Sequence, residues 1–196
     1  MIETSRLKLI PATVALAHAE LGDRGEFARL LGALVPDNWP PETLADGLPT
    51  FLGWLEAAPN RVGWFSWYAL AAGEDATTPV LVASGGFIGP PQDGTVEIGY
   101  SVLPQFQGRG YATEMVGGLI RWAMGQPGVV RVVAETEWAN PASVRVLSKA
   151  GFAPAGPATE PGGARFEFVG SIRAAEPGSG PDPARTSACR NEWLTE

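Results

Sequence analysis

The clearest alternation of apolar and polar positions in the chain runs from Val96 to Val102. Apolar side chains occupy the even positions, and Glu97, Gly99 and Ser101 occupy the odd ones, which is typical of a half-buried strand. Pro104 ends the pattern. After a short turn, apolar residues recur at helical spacing and predict a helix with one buried face; they are Ala112, Met115, Val116, Leu119, Ile120 and Ala123.

Shorter patterns predict the other elements of the chain. Gly47 and Pro49 are expected to kink or split one of the helices. Asn140-Pro141 is a clear start signal, with Asn as N-cap and Pro in the first turn of the helix, and Gly151 is expected to end that helix. Strands are predicted at Leu7–Ile10, Gly63–Ala72, Val80–Ile88, Val96–Leu103, Val129–Glu135, Phe152–Ala155 and Arg165–Val169, and helices twice within Thr13–Leu34, after Pro41, after Gly110 and after Asn140.

Length and composition favour one domain with an appendage. Of 196 residues, 45% are hydrophobic, which is enough for a full core. We expect this domain to span residues 1–173. Residues 174–196 are rich in proline and glycine and show no periodicity, so we expect an irregular tail.

Charge and cysteine content limit the partners and the compartment. The net charge of −7 argues against nucleic acid or an anionic membrane as partner. Cys189 is the only cysteine, so no internal disulfide is possible, and a cytoplasmic location is expected. The apolar run Leu9–Ala17 resembles a signal-peptide core only faintly, because Pro11 interrupts it. One histidine and one cysteine offer no metal-ligand cluster, so no metal is expected.

A strand, a glycine-bearing turn and a helix start come together before Thr113. Gly108 and Gly110 allow the backbone to approach a ligand closely, and the first N–H groups of a helix have no internal partners. This combination favours a pyrophosphate site. A P-loop would need Lys and then Ser or Thr after its second glycine, where Tyr111 stands, and a dinucleotide fingerprint would need a third glycine.

The spacing of Gln105, Gly108 and Gly110 resembles motif A of the GNAT N-acetyltransferase superfamily, Gln/Arg-x-x-Gly-x-Gly/Ala. A second segment, Asn140 to Phe152, resembles the other signature of that superfamily, in which an Asn opens a helix and a Gly-Phe pair ends it. The resemblance covers roughly residues 4–169. It implies an α/β (α+β) fold with a mixed, strongly twisted sheet of six to seven strands, flanked by about four helices.

Four shorter segments are similar to one branch of the superfamily, the branch that acetylates the N-termini of ribosomal proteins. They are Thr4–Leu7, Glu97–Tyr100, Gly110–Glu114 and Asn140-x-x-Ser143. The resemblance therefore suggests a protein N-terminus as acceptor, while a small amine remains open.

The resemblance implies acetyl-CoA as co-substrate. It would lie where the sheet splays between the strand at Val96–Leu103 and the strand at Val129–Glu135, with its pantetheine arm paired like an extra strand. Backbone N–H groups of residues 107–112 would hold the pyrophosphate, and Asn140 would reach the pantetheine arm. The implied cofactor-binding residues are Val102, Leu103, Gln105, Gln107, Gly108, Arg109, Gly110, Tyr111, Ala112, Thr113, Asn140 and Ser143.

The chemistry expected is direct attack of a primary amine on the thioester in a ternary complex. Glu97 is the candidate base, on the strand beside the thioester. A backbone N–H near Val102 or Leu103 would stabilise the oxyanion. Many GNAT enzymes carry a Tyr midway along the Asn-initiated helix; Leu147 stands there, so Ser143 is the candidate acid.

Tyr100 and Tyr111 are interpreted as structural residues. A domain that binds acetyl-CoA without turnover, as a sensor or interaction module, is the alternative from another class. A dinucleotide-binding redox domain is a weaker alternative, because the third glycine and its acidic partner are missing. A homodimer is possible.

Overall fold

The computed structural model describes residues 1–73, 77–159 and 161–168. The predicted tail at 174–196, Cys189 within it, and Val169 at the end of the last predicted strand lie outside these residues. The described elements are β1 Ile2–Glu3, β2 Leu7–Pro11, α1 Val14–Gly22, α2 Arg24–Leu31, α3 Glu42–Ala45, α4 Leu48–Ala57, β3 Ser66–Ala72, β4 Pro79–Phe87, β5 Thr95–Val102, α5 Tyr111–Met124, β6 Arg131–Glu137, α6 Pro141–Lys149, β7 Ala153–Pro157 and β8 Gly163–Phe168.

The strands form one mixed sheet in the order β1-β2-β3-β4-β5-β6-β8-β7. Neighbours are antiparallel except for β5 and β6, which run parallel. The predicted α/β fold with a mixed sheet is confirmed. The described sheet has eight strands rather than six to seven, because the two-residue β1 adds an edge strand that no periodicity could reveal.

Each face of the sheet carries its own hydrophobic core. On the first, here called the α5 face, helices α5 and α6 cover side chains such as Val96, Ile98 and Val132. On the second, the α1 face, helices α1, α2 and α4 cover Tyr68, Leu81 and others. Since side chains alternate along a strand, Glu97, Gly99 and Ser101 lie on the α1 face.

Most element boundaries agree with the sequence predictions within two or three residues, and the differences have local causes. The helix after Pro41 is split into α3 and α4 around Gly47, as expected. Strand β6 begins two residues later than predicted, at Arg131, because the amides of Val130 and Arg131 both donate to the Gly94 carbonyl. Pro11 is the last residue of β2, opposite Trp67, rather than the residue that stops it.

Of the helices in the described residues, none combines the length and apolar character that crossing a bilayer would require. Nor do these residues hold three or more His, Cys, Asp or Glu side chains grouped as metal ligands.

Candidate active site

Strands β5 and β6 pair over only three residues of β5, Thr95 to Glu97, opposite Arg131 to Val133. Beyond Glu97, β5 keeps its partner β4 and β6 keeps its partner β8, so the two strands separate. We call the space between residues 98–102 of β5 and residues 134–137 of β6 the gap. The sheet therefore splays where the sequence predicted it.

The turn after β5 presents a series of backbone N–H groups without protein partners. Gly108 and Gly110 have positive φ angles of 73° and 82°, which favour glycine. No side chain caps α5, whose N-cap is Gly110. Within the described residues, none of the six amides from Gly108 to Thr113 donates a hydrogen bond to the protein. Six free amides at a helix start form an anion-binding site.

Gln107 does not contribute an amide to this set. Its backbone N–H donates to the Pro104 carbonyl at 3.2 Å, and its side chain donates to the Val102 carbonyl at 3.1 Å. The prediction that the Gln107 amide holds the pyrophosphate is therefore wrong, because a short 3₁₀ turn at Pro104–Phe106 consumes that donor.

The backbone N–H of Leu103 is also unavailable to a ligand. Its backbone N–H donates to the Val82 carbonyl at 3.1 Å and its side chain is fully buried, so it cannot stabilise an oxyanion as predicted. Amides of an antiparallel strand point alternately to its two neighbours. Because the Leu103 N–H points to Val82, the N–H of Val102 points to the opposite edge of β5, towards the gap. That is the direction expected for a donor to the oxyanion.

Gln105 holds a segment of the α1 face rather than pointing towards the gap. Its side-chain amide exchanges two hydrogen bonds with Asn38, at 2.9 and 3.0 Å. Asn38 lies between α2 and α3. Gln105 thus connects the turn after β5 to the segment that leads into α3.

Arg6 and Glu114 support the turn through contacts with its backbone and with each other, and neither side chain had a predicted role. Arg6 donates through Nη1 to the Arg109 carbonyl at 2.9 Å and through Nε to Glu114 at 2.7 Å, and its guanidinium lies 4.9 Å from the Tyr111 ring centre. Burial raises the pKa of Glu114, but hydrogen bonds from Thr4 and Arg6 outweigh it and lower the pKa overall. A separation of 108 residues between Arg6 and Glu114 leaves no local signal for such a pair.

The remaining turn residues are placed as follows. Arg109 is exposed, with its guanidinium 5.6 Å from the Phe106 ring centre. Ala112 and Thr113 are half-buried in the first turn of α5 and contribute free amides.

Glu97 stands where β5 and β6 separate, on the α1 face. Partial burial raises the pKa of its carboxyl, the nearby charge of Glu135 raises it further, and Arg165 lowers it. Glu135 itself accepts from the amide and hydroxyl of Thr159 at 3.0 and 3.2 Å and from Arg165 at 3.3 Å. A carboxylate with a raised pKa beside an open strand edge is suited to accept a proton.

The strand residue next to Glu97 on the same face leaves room for an acceptor. Gly99 is exposed, and a methyl group added to it would meet no heavy atom within 4 Å. Its partner across the β4–β5 ladder is Gly86, where a side chain would collide with the Phe65 carbonyl. The floor of the α1 face beside Glu97 is therefore bare backbone.

Helix α6 lies beside the gap, where its residue Ser143 contacts Tyr100 of β5. Asn140 caps it by accepting from the Ser143 amide at 3.1 Å, which leaves the Asn140 side-chain NH₂ available. Ser143 is half-buried, and its Oγ lies 2.8 Å from the Tyr100 hydroxyl. Leu147, at the position where many GNAT enzymes carry a Tyr, is completely buried in the α5-face core.

The geometry fits an extended thioester carrier with a diphosphate. Strand β5 ends at Val102, five residues beyond Glu97, and a strand of five residues spans about 17 Å. Beyond Glu97, the edge of β5 is not paired with β6 and is open to an additional chain. The free amides begin at Gly108, six residues after the end of β5, so a carboxylate, an unpaired strand edge and donors for a diphosphate follow one another along β5 and the turn after it.

Comparisons with known proteins identify the family of this chain. Residues 6–153 match the model of the acetyltransferase (GNAT) domain family. The chain is 28% identical over 153 residues to the uncharacterized N-acetyltransferase YjdG of Bacillus subtilis, covering 78% of this chain and 89% of that protein. It is 27% identical to the FsC-acetyl coenzyme A-N(2)-transacetylase of Aspergillus fumigatus, covering 98% of this chain and 77% of that protein.

Solved structures share the fold. A candidate ribosomal-protein-serine acetyltransferase of Vibrio cholerae superposes with a TM-score of 0.59 at 16% identity, over 86% of this chain and 97% of that one. With the match to the domain family over most of its length, this protein belongs to the GNAT acetyltransferase family and is an acetyl-CoA-dependent acyltransferase.

Proposed function

We propose that the protein transfers the acetyl group of acetyl-CoA to a primary amine by direct attack within a ternary complex. The observation that carries this proposal is the succession of Glu97 and an open strand edge on β5, followed by six free amides in the turn after it. The amides of Gly108 to Thr113 hold the diphosphate, and the N–H of Val102 and the side chain of Asn140 contact the pantetheine arm.

Glu97 removes the proton from the acceptor ammonium, directly or through a water. An amine has an ordinary pKa of about 8 at a chain terminus and about 10.4 on lysine, so most of it is protonated at neutral pH. Because burial and Glu135 raise the pKa of Glu97, its carboxylate is a stronger base than an exposed glutamate. Ser143 donates a proton to the departing thiolate.

We further propose that the acceptor is the N-terminal amine of a protein, as in the ribosomal-protein branch that Glu97–Tyr100 resembles. The bare floor at Gly99 supports this choice, because an extended peptide needs space for the residues that follow its terminal amine. Because the chain has a single cysteine, a reducing compartment such as the cytoplasm is its proposed place of action.

Thiol release from acetyl-CoA, measured against peptides with free N-termini and against small amines, tests the proposal. We expect turnover with the parent protein and a loss of roughly 100-fold in Glu97→Gln, since general base catalysis contributes at least that much. Glu56→Gln, which changes an exposed carboxylate on helix α4 that pairs with His18, is the matched control and should keep full activity.

Two results would contradict the proposal at different levels. CoA binding without turnover for any amine would leave the chain as a binding module. Turnover restricted to small amines would retain the reaction and remove the protein N-terminus as acceptor.

A further inference from the structure

A pair of hydroxyl groups connects β5 to α6. The Tyr100 hydroxyl lies 2.8 Å from Ser143 Oγ and 3.3 Å from the Ser143 carbonyl. Tyr100 is three residues beyond Glu97 on β5, past the last residue that pairs with β6. The two hydroxyls therefore meet where the open strand edge faces the first turn of α6.

Packing alone does not account for this hydroxyl. The Tyr100 ring packs against the α5-face core, as the ring of a phenylalanine would, and its hydroxyl contacts Ser143 of α6. Burial raises the pKa of the phenol, and the hydrogen bond with Ser143 lowers it. The phenol is thus protonated at neutral pH, and its single hydrogen can reach either the Ser143 carbonyl or Ser143 Oγ. When it is donated to Oγ, the nearer acceptor at 2.8 Å, the serine hydrogen is free to point elsewhere.

We infer that Tyr100 is a positioning residue for the general acid Ser143: its hydroxyl donates to Ser143 Oγ and orients the serine hydrogen towards the thioester sulfur. This inference rests on the proposed function. It also explains how α6 can supply an acid although Leu147, at the position where many GNAT enzymes carry a Tyr, is buried in the core. The hydroxyl comes from the facing strand instead of the helix.

The proton balance of the step is as follows. The amine nitrogen forms a bond to the thioester carbon, the carbonyl electron pair moves to oxygen, and its return breaks the C–S bond with the pair leaving on sulfur. Ser143 Oγ gives its proton to sulfur and regains one from solvent, while the Tyr100 hydroxyl stays protonated. On the way from ammonium to amide, nitrogen loses two protons, one to Glu97 before the attack and one to solvent as the tetrahedral adduct collapses. Glu97 passes its proton to solvent as well, so the products are an amide, a free thiol and one released proton.

A double-mutant cycle on the full-length chain tests the inference. We expect Tyr100→Phe and Ser143→Ala each to lower kcat roughly 10-fold, with the KM for acetyl-CoA unchanged within about 2-fold. The double variant should lose no more than either single variant, because the two hydroxyls act as one unit. Ser148→Ala, on the same helix, removes a hydroxyl that bonds only to the Val144 carbonyl and is the matched control.

The inference is overturned if Tyr100→Phe retains the parental kcat, if the losses multiply in the double variant, or if the KM for acetyl-CoA rises instead. Should Tyr100→Phe fail to fold, Ser143→Thr provides the second comparison: it keeps a hydroxyl and should retain most of the activity that Ser143→Ala loses. Equal activity of Ser143→Ala and the parent would also refute the inference. If the parent turns over normally in these assays, such results refute this inference alone. An inactive parent would instead refute the proposed function.

Discussion

At the scale of single residues, the environment of Glu97 determines whether it can act as a base. Its carboxyl is partly buried beside Glu135, and Arg165 offsets part of that effect. A base with a raised pKa loses activity as the pH falls through that pKa, because protonation removes the acceptor of the proton. The acid limb of the pH–rate profile should therefore report the surroundings of Glu97.

We predict that Glu135→Gln moves this acid limb to lower pH, since it removes a negative charge that raises the pKa of Glu97. Arg165→Gln should move the limb in the opposite direction, because it removes the positive charge that lowers the same pKa. Profiles of kcat/KM against pH for both variants provide the measurement. Shifts of the same sign in both, or none in either, would mean that the limb reports another group.

Residue identity predicted the glycine turn but not the use of each amide. Gly108 and Gly110 have the positive φ angles that the turn requires, while the role of Glu97 as base stays a prediction. Gln107 and Leu103 were assigned free N–H groups, yet a 3₁₀ turn and the β4 ladder consume both. Which neighbour a backbone N–H meets depends on the strand order, and a sequence pattern does not contain that order.

At the scale of elements, the turn between β1 and β2 is clamped to the first turn of α5. Glu114 accepts from the Thr4 hydroxyl and the Arg6 amide, both at 2.6 Å, and from the Arg6 guanidinium at 2.7 Å. These bonds hold Arg6 against the Arg109 carbonyl and so fix the shape of the turn after β5. Periodicity predicted α5 well but could not reveal this contact between distant segments.

Glu114→Gln should lower the free energy of unfolding by roughly 1 to 3 kcal/mol at neutral pH, the cost of weakened charge-assisted hydrogen bonds. The pKa of Glu114 is lowered in the folded state, so its stabilisation is present above the unfolded pKa and is lost as the pH falls through the folded value. Urea unfolding at several pH values should show the difference between variant and parent disappearing in acid.

Glu26→Gln is the control for this measurement, because Glu26 pairs with Arg29 on an exposed helix surface. Such pairs contribute little, so its unfolding free energy should match that of the parent at every pH measured. The difference in unfolding free energy between Glu114→Gln and the parent could instead persist unchanged into acid. That result would show that altered packing, and not the loss of the charged carboxylate, destabilises the variant.

At the scale of the whole molecule, the sheet consists of two parts, β1 to β5 and β6 to β8, that share only three pairs of residues. A ligand that binds the open edge of β5 would add contacts across the gap. Ligands that bind only the folded state stabilise it by about 2.7 kcal/mol at 100 times their Kd. We still propose residues 1–173 as the domain that does this, and the family match at residues 6–153 lies within it.

We predict that CoA raises the thermal midpoint of the parent and that Gly110→Ala abolishes most of this shift. Gly110 has a φ of 82°, and an added Cβ would lie 3.3 Å from Arg6 Nη2, so alanine would distort the turn. Gly117→Ala, in the middle of α5, has ordinary contacts and should respond to CoA like the parent. An undiminished shift in Gly110→Ala would place the diphosphate elsewhere.

A seam of three residue pairs has a consequence for the life of the protein in a cell. If the co-substrate serves as the missing strand, the empty form opens along that seam more often than the loaded form, and opened chains are what proteases degrade. The half-life of the enzyme would then follow the supply of its acetyl donor. Starvation for the donor would lower the amount of enzyme as well as its rate of turnover.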